Sequence, residues 1–444
     1  MWYQGQNVGV RTAGSIAAEL WTERSELWLN LDEMTRILSD GRVLRATETS
    51  GHRHLELREA DGSSPRSLTT GDWVVTDVAH VDEARGEVLF LGTADGVLER
   101  HLYAVPLDAF RPSARPERLT DEPGWHEAVV SDDGALWSDT FSNRGTARQV
   151  VVRGRTGSSA TVIHRPSTDA KTLRLVVPEL LEVPADDGTP LHVALFRPQS
   201  NGATPPPAVV WVYGGPHSQQ VGNCWELTML PIRQALVRAG FAVVVTDNRG
   251  TANRGLAFEA PIAGALGSVE IADQSRVVIE LASRGDLDPT RVGITGGSYG
   301  GYMTIMALLR RPELFRAGVA LAPVTAWDGY DTAYTERYLG TPEAQPAAYR
   351  EASLLPRVAE LRGSLLVMHG ATDENVHLRH SRRLAEALAA RGIELELVVL
   401  PAERHLVTSP SAQLARDRRT VAFLCEALGA PLPEDLAAGS PAAD

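Results

Sequence analysis

Arg291-Val292-Gly293-Ile294-Thr295-Gly296-Gly297-Ser298-Tyr299-Gly300-Gly301 is the stretch that decides how the whole chain is read. Its apolar start, Arg291 to Thr295, predicts a strand, and the apolar spacing from Tyr299 to Arg310 predicts a helix. Between them stands the pattern G-x-S-x-G. A serine at such a turn must adopt a tight, strained backbone that holds its Oγ clear of the sheet. Glycines on both sides prevent clashes where the two backbones close up. A structural Gly-Ser turn is the plainer alternative; the strand-turn-helix context favours a nucleophile elbow.

Outward from the elbow the same alternation continues. Apolar strands are expected at Ala208 to Tyr213, Phe241 to Thr246, Ala317 to Ala322, Leu365 to His369 and Glu394 to Leu400. Helical stretches fall between them at Glu226 to Arg238, Val269 to Ser283 and His380 to Ala390. Strands apolar on both faces that alternate with helices predict a doubly wound, mostly parallel α/β sheet, here spanning 175–430. A Pro/Ala/acid-rich stretch, 431–444, is expected as a flexible tail.

In such a sheet, ligands bind beyond the carboxyl ends of the strands. Gly370-Ala371-Thr372-Asp373-Glu374-Asn375-Val376 follows one strand, and Asp373 is the candidate acid, with Glu374 as its neighbouring rival and a helix cap as the plain alternative. Pro401-Ala402-Glu403-Arg404-His405 follows the last strand, and His405 is the candidate base. A serine hydroxyl needs a base, and the base needs a carboxylate to fix its tautomer. The chain order Ser298, Asp373, His405 is that of α/β-hydrolases. His217, His377 and His380 are less conveniently placed. An oxyanion requires preorganised donors: the Tyr299 amide is one, and the loop Tyr213-Gly214-Gly215-Pro216 offers either a backbone N–H or the Tyr213 hydroxyl. The segment Ala322 to Tyr338 gathers one Trp and three Tyr in a chain with 6% aromatics. It reads as an aromatic wall for a flat apolar group, or as a packed interdomain surface.

The first 165 residues look all-β and repetitive. Arg53-His54-Leu55 recurs as Arg100-His101-Leu102 and more weakly as Arg148-Gln149-Val150, and Leu68-Thr69 with Trp73 recurs as Leu119-Thr120 with Trp125. Periods of roughly 40–50 residues indicate β-propeller blades. Three are expected, the first beginning near Ala18, where a closed ring takes about four or more. A small β-sandwich is the alternative.

Composition narrows the partners. With 43 Lys+Arg against 56 Asp+Glu, a net charge of −13 and Lys171 as the one lysine, no basic stripe for nucleic acid or an anionic membrane exists. Two distant cysteines, Cys224 and Cys425, indicate neither a disulfide framework nor a zinc site. No stretch approaches the roughly 20 apolar residues of a membrane span, and a cytoplasmic location is expected.

Taken together, Val212-Tyr213-Gly214-Gly215-Pro216, Asp247-Asn248-Arg249-Gly250, Gly296 to Gly301, Tyr330 to Tyr338 and His369 to Val376 resemble the prolyl oligopeptidase family of serine peptidases, in its dipeptidyl-peptidase-IV-like branch. The resemblance implies an α/β-hydrolase domain preceded by a propeller, here a partial one. It implies Ser298, Asp373 and His405 as the triad, with the Tyr213 hydroxyl joining the Tyr299 amide in the oxyanion hole. It further implies an S1 pocket of Tyr330, Tyr334, Val324 and Val376, with Asn375 bonding the substrate backbone. Two departures stand out. Leu406 replaces the glycine common after the catalytic histidine, and the Glu-Glu pair by which the branch anchors a substrate amine has no counterpart, so the sequence looks truncated at its N-terminus. The expected function is cleavage of short peptides after Pro or Ala through an acyl-enzyme, without metal or organic cofactor; a homodimer is compatible. A carboxylesterase, or an inactive relative acting as an interaction protein, are the alternatives.

Overall fold

The computed structural model describes residues 4–10, 18–31, 33–108, 111–155, 160–199 and 204–437. Two compact units emerge: one comprises Met1–Arg174 with Gly222–Thr228 and Ala252–Ala260, the other Leu175–Val221, Met229–Thr251 and Pro261–Asp444.

The second unit is built on one eight-stranded sheet. Its strands are β1 (Glu179–Pro184), β2 (Pro190–Phe196), β3 (Ala208–Trp211), β4 (Ala242–Asp247), β5 (Val292–Gly297), β6 (Phe315–Leu321), β7 (Ser364–Gly370) and β8 (Glu396–Leu400), in the order β1-β2-β4-β3-β5-β6-β7-β8. From β4 to β8 all neighbours are parallel. The edge formed by β1 and β2 is antiparallel and was not read from the sequence. All six residues of β4 are buried, as strands covered on both faces must be. The chain winds from β3 to β4 on one side and to β5 on the other, so the switch point lies beside the elbow, where ligand sites form.

Helices Val269–Ser283 and Tyr299–Arg310 occupy their expected spans. The expected helix from Glu226 to Arg238 is instead two, Trp225–Thr228 and Pro231–Arg238. Pro231 has no N–H to donate and pushes the preceding residue out of helical geometry; Leu230 is extended at φ −68°, ψ 129°. The short first piece groups with the other unit. The last long helix, Pro410–Leu428, has Pro at its first position, a Ser409 hydroxyl that accepts from the Ala412 amide, and left-handed Gly429 at its end. Of the expected tail, Glu434–Ala437 forms a helical turn, and 438–444 lie outside the described residues.

The first unit is a partial β-propeller containing three four-stranded antiparallel sheets. They span Arg36–Ile37 to Arg66–Ser67, Val75–Asp82 to Glu117–Arg118, and Trp125–Val130 to Thr161–His164. The first blade therefore starts at Arg36, not near Ala18: Ala18–Ser25 pairs with Gln4–Val10 instead. The repeated words are a packing device. His54 Nδ1 meets Thr69 Oγ1 at 3.1 Å and His101 Nδ1 meets Thr120 Oγ1 at 2.9 Å, tying the third strand of each sheet to the loop after its fourth. The two tryptophans donate to the carbonyls of Ala114 and Leu98.

Candidate active site

Ser298 follows β5 at φ 58°, ψ −117°, a positive φ that costs a non-glycine residue energy and persists only where the surroundings enforce it. The enforcing contact is visible at its neighbours. A Cβ on Gly296 would lie 2.1 Å from the Val212 carbonyl oxygen, and one on Gly300 would lie 2.2 Å from the same atom. At Gly297 the nearest atom would be 3.7 Å away, so that glycine is not required by the turn.

The loops after β7 and β8 bring the other expected residues to this serine. His405 Nε2 lies 3.1 Å from Ser298 Oγ, and His405 Nδ1 lies 2.8 Å from Asp373 Oδ2. An ionised carboxylate accepts only, so Nδ1 carries the proton and Nε2 is free to accept from the serine. The other oxygen, Asp373 Oδ1, accepts from the amides of Asn375 (2.9 Å) and Val376 (2.8 Å). Burial opposes ionisation of Asp373, but hydrogen bonds from His369 and His405 outweigh it and hold the carboxyl well below the usual range. The rival Glu374 is exposed and pairs with Arg404 at 3.1 Å. Leu406 is 73% exposed, so its side chain leaves the histidine's approach to Ser298 intact.

Of the other candidate histidines, His377 is exposed, and His217 and His380 are engaged elsewhere. His217 bonds the Tyr338 hydroxyl. His380 Nδ1 accepts from the Thr325 amide at 3.2 Å, and its Nε2 donates to the Gly329 carbonyl at 3.2 Å.

Tyr299 opens the helix after the elbow, so its amide lacks an intrahelical acceptor and points toward the helix N-terminus. The Tyr213 ring lies 6.1 Å from that of Tyr299, and burial raises its phenol's pKa, keeping it a protonated donor. Trp327 organises the aromatic wall: its ring is 5.5 Å from Tyr299, 5.1 Å from Tyr302, 5.8 Å from Tyr330 and 6.1 Å from Tyr334. Tyr330 donates to Asn375 Oδ1 at 3.0 Å, and Val324 and Val376 are buried. Sequence reasoning missed three supports: His369 beneath Asp373, Glu270 beneath Tyr299, and Tyr302 beneath Trp327. Glu270 was detectable only as an acid in the first turn of a predicted helix, and the other two carried no distinguishing pattern.

This arrangement can deprotonate a hydroxyl and aim it at a carbonyl, and Tyr213 lines the same cavity as Ser298. A sheet of this order, with a strained serine after its fifth strand and an acid and a base from the loops after its seventh and eighth, defines a serine-type α/β-hydrolase. Residues 229–431 match the Prolyl oligopeptidase family model, and residues 7–148 match that of the Dipeptidyl peptidase IV (DPP IV) N-terminal region. The chain belongs to the prolyl oligopeptidase family, in its dipeptidyl-peptidase-IV-like branch. It is similar to dipeptidyl peptidase 8 of Mus musculus, 30% identical over a 455-position alignment that covers 92% of this chain and 51% of that protein. A probable dipeptidyl-aminopeptidase B of Emericella nidulans is 34% identical over a 356-position alignment that covers 78% of this chain and 38% of that one. Among solved structures, dipeptidyl peptidase 4 of Porphyromonas gingivalis superposes with a TM-score of 0.85 at 27% identity, covering 93% of this chain and 58% of that one. The chain thus spans about half, or less, of the curated relatives' length. No helix among the described residues is long and apolar enough to cross a membrane.

Proposed function

We propose that this chain is a serine peptidase that cleaves short peptides after Pro or Ala, in the manner of a dipeptidyl peptidase. The observation that carries the reading is the continuous relay from Ser298 Oγ through His405 to Asp373, at 3.1 and 2.8 Å. Ser298 Oγ attacks the scissile carbonyl carbon while His405 Nε2 takes its proton. The resulting oxyanion accepts from the Tyr299 amide and the Tyr213 hydroxyl. As the C–N bond breaks, His405 returns the proton to the leaving amine, and water repeats the sequence to release the acid. Tyr330, Tyr334, Val324 and Val376 hold the residue on the acyl side, and Asn375 bonds the substrate backbone. The aromatic wall suits a proline ring.

Two free, buried thiols, Cys224 and Cys425, each pushed up to about 11 by burial, suit a reducing compartment, and cytoplasmic residence belongs to this proposal. The test is hydrolysis of Ala-Pro and Ala-Ala anilides against short acyl esters, with fluorophosphonate labelling. Anilide turnover and labelling that vanish in Ser298→Ala support the reading. Ester-only turnover removes the peptidase, and equal labelling of Ser298→Ala removes the mechanism.

A further inference from the structure

A cavity of about 310 Å³ opens beside Ser298 and His405, and no residue of the acyl-side wall lines it. Its apolar lining includes Leu321 at the end of β6, Met368 in β7, Leu400 at the end of β8, and Leu406 and Val407 just after the histidine, with Gly297 and Tyr213 also at its wall. Two arginines, Arg404 and Arg416, stand at it as well. Both already hold carboxylates: Arg404 pairs with Glu374 at 3.1 Å and Arg416 with Asp417 at 2.7 Å. The charge at the cavity is therefore matched, and the surface left without a partner is apolar.

The side of the serine on which the cavity lies follows from the proton's path. His405 Nε2 must hand its proton to the leaving nitrogen, so the leaving segment passes His405, and Leu406 and Val407, which directly follow it, form part of the cavity's lining. Val324, Tyr330, Tyr334, Asn375 and Val376 belong to the opposite, acyl side. Gly297 adds a second observation. The elbow does not require a glycine there, since a Cβ would meet only Leu321 at 3.7 Å, yet a side chain at 297 would enter this space. The volume is at the small end of ligand pockets, which run from roughly 300 to 1,000 Å³, and fits one branched or aromatic side chain.

We propose that this cavity is a leaving-group subsite selecting a large apolar residue immediately after the scissile bond. The inference rests on the serine hydrolase reading above and adds a specificity that the triad alone does not supply. The experiment compares Ala-Pro-Xaa-Gly peptides with Xaa as Gly, Leu or Phe. The expected kcat/KM for Leu and Phe is at least tenfold that for Gly; a ratio below threefold overturns the proposal. Gly297→Leu fills the cavity and is expected to bring that ratio close to one; a ratio unchanged from wild type overturns it. A measurement on the wild type needs no variant to fold. When an acyl-enzyme formed from an Ala-Pro ester is offered leucinamide or glycinamide, the leaving-group site receives the amine. Capture by leucinamide should be about tenfold more efficient, and equal capture overturns the subsite. Fluorophosphonate labelling separates the two failures. Labelled enzyme that hydrolyses all three peptides alike loses only the subsite, whereas no labelling and no hydrolysis defeat the hydrolase reading and this inference with it.

Discussion

The Tyr299 hydroxyl donates to Glu270 Oε1 across 2.7 Å, with both residues buried beneath the nucleophile. Glu270 also accepts the amides of Gly267 at 2.8 Å and Ser268 at 2.9 Å. Burial raises the Glu270 carboxyl's pKa, partly opposed by these bonds, and burial with the nearby carboxyl holds the Tyr299 phenol protonated. Glu270→Ala would leave two amides and a phenol without their acceptor, each costing about 1–3 kcal/mol. The expected loss is at least about 3 kcal/mol in urea denaturation, against about 1–2 kcal/mol for Tyr299→Phe, which removes only one of those bonds. Equal losses would contradict this account.

The elbow glycines should separate sharply. Gly300→Ala drives a methyl to 2.2 Å from the Val212 carbonyl, whereas Gly297→Ala meets its nearest atom at 3.7 Å. Overpacking of the first kind costs typically about 1–3 kcal/mol and occasionally more. Gly300→Ala is therefore expected to lower the melting temperature and to abolish fluorophosphonate labelling. Gly297→Ala should fold with a stability within about 0.5 kcal/mol of wild type, as thermal denaturation would show.

Tyr213→Phe removes one proposed oxyanion donor while keeping the ring packing against Tyr299. Loss of such a donor costs roughly 10²–10³ in kcat. Because the donor acts on charge that develops only in the transition state, kcat should fall while KM for Ala-Pro anilide stays within about threefold. A change confined to KM would assign Tyr213 to ground-state binding.

His380 makes stability depend on pH just below neutrality. Burial pushes its pKa down to about 4, opposed by the Gly329 carbonyl and reinforced by Arg379, His369 and Arg383. Between about 4 and the unfolded value of about 6.5, the unfolded chain binds a proton that the folded chain refuses. Its contribution is thus full above about 6.5 and is lost as pH falls through that window. The scale is on the order of 3 kcal/mol. Urea midpoints measured from pH 7.5 to 4.5 should fall less steeply in His380→Gln. In the folded chain His380 keeps accepting from the Thr325 amide until the pH falls to about 4, so the segment that carries Trp327 should gain hydrogen exchange only on approach to that value.

Much of the parallel sheet was legible because strands buried on both faces leave long apolar runs, and Val269–Ser283 and Tyr299–Arg310 carry uninterrupted helical spacing. The antiparallel edge was not: β1 reads Glu-Leu-Leu-Glu-Val-Pro, half-exposed and too mixed to separate from a loop. Pro231 was visible, but the helix expected through it ignored the backbone restriction it imposes. In the β unit the repeats were legible as words, while the first blade's start was misplaced because its first strand is only two residues, Arg36–Ile37.

Sequence alone picked out the types and chain order of the groups proposed to react. A strand-to-helix turn tolerates only glycine where backbones close, and an acid and a base after later strands must reach the same edge of a parallel sheet. Tertiary structure decided what those groups rest on. His369, Glu270 and Tyr302 come from separate elements and meet the site only through packing. The space beside Gly297 likewise exists only once β6, β7, β8 and the histidine loop surround it, because a cavity belongs to the surfaces that enclose it and leaves no pattern along the chain.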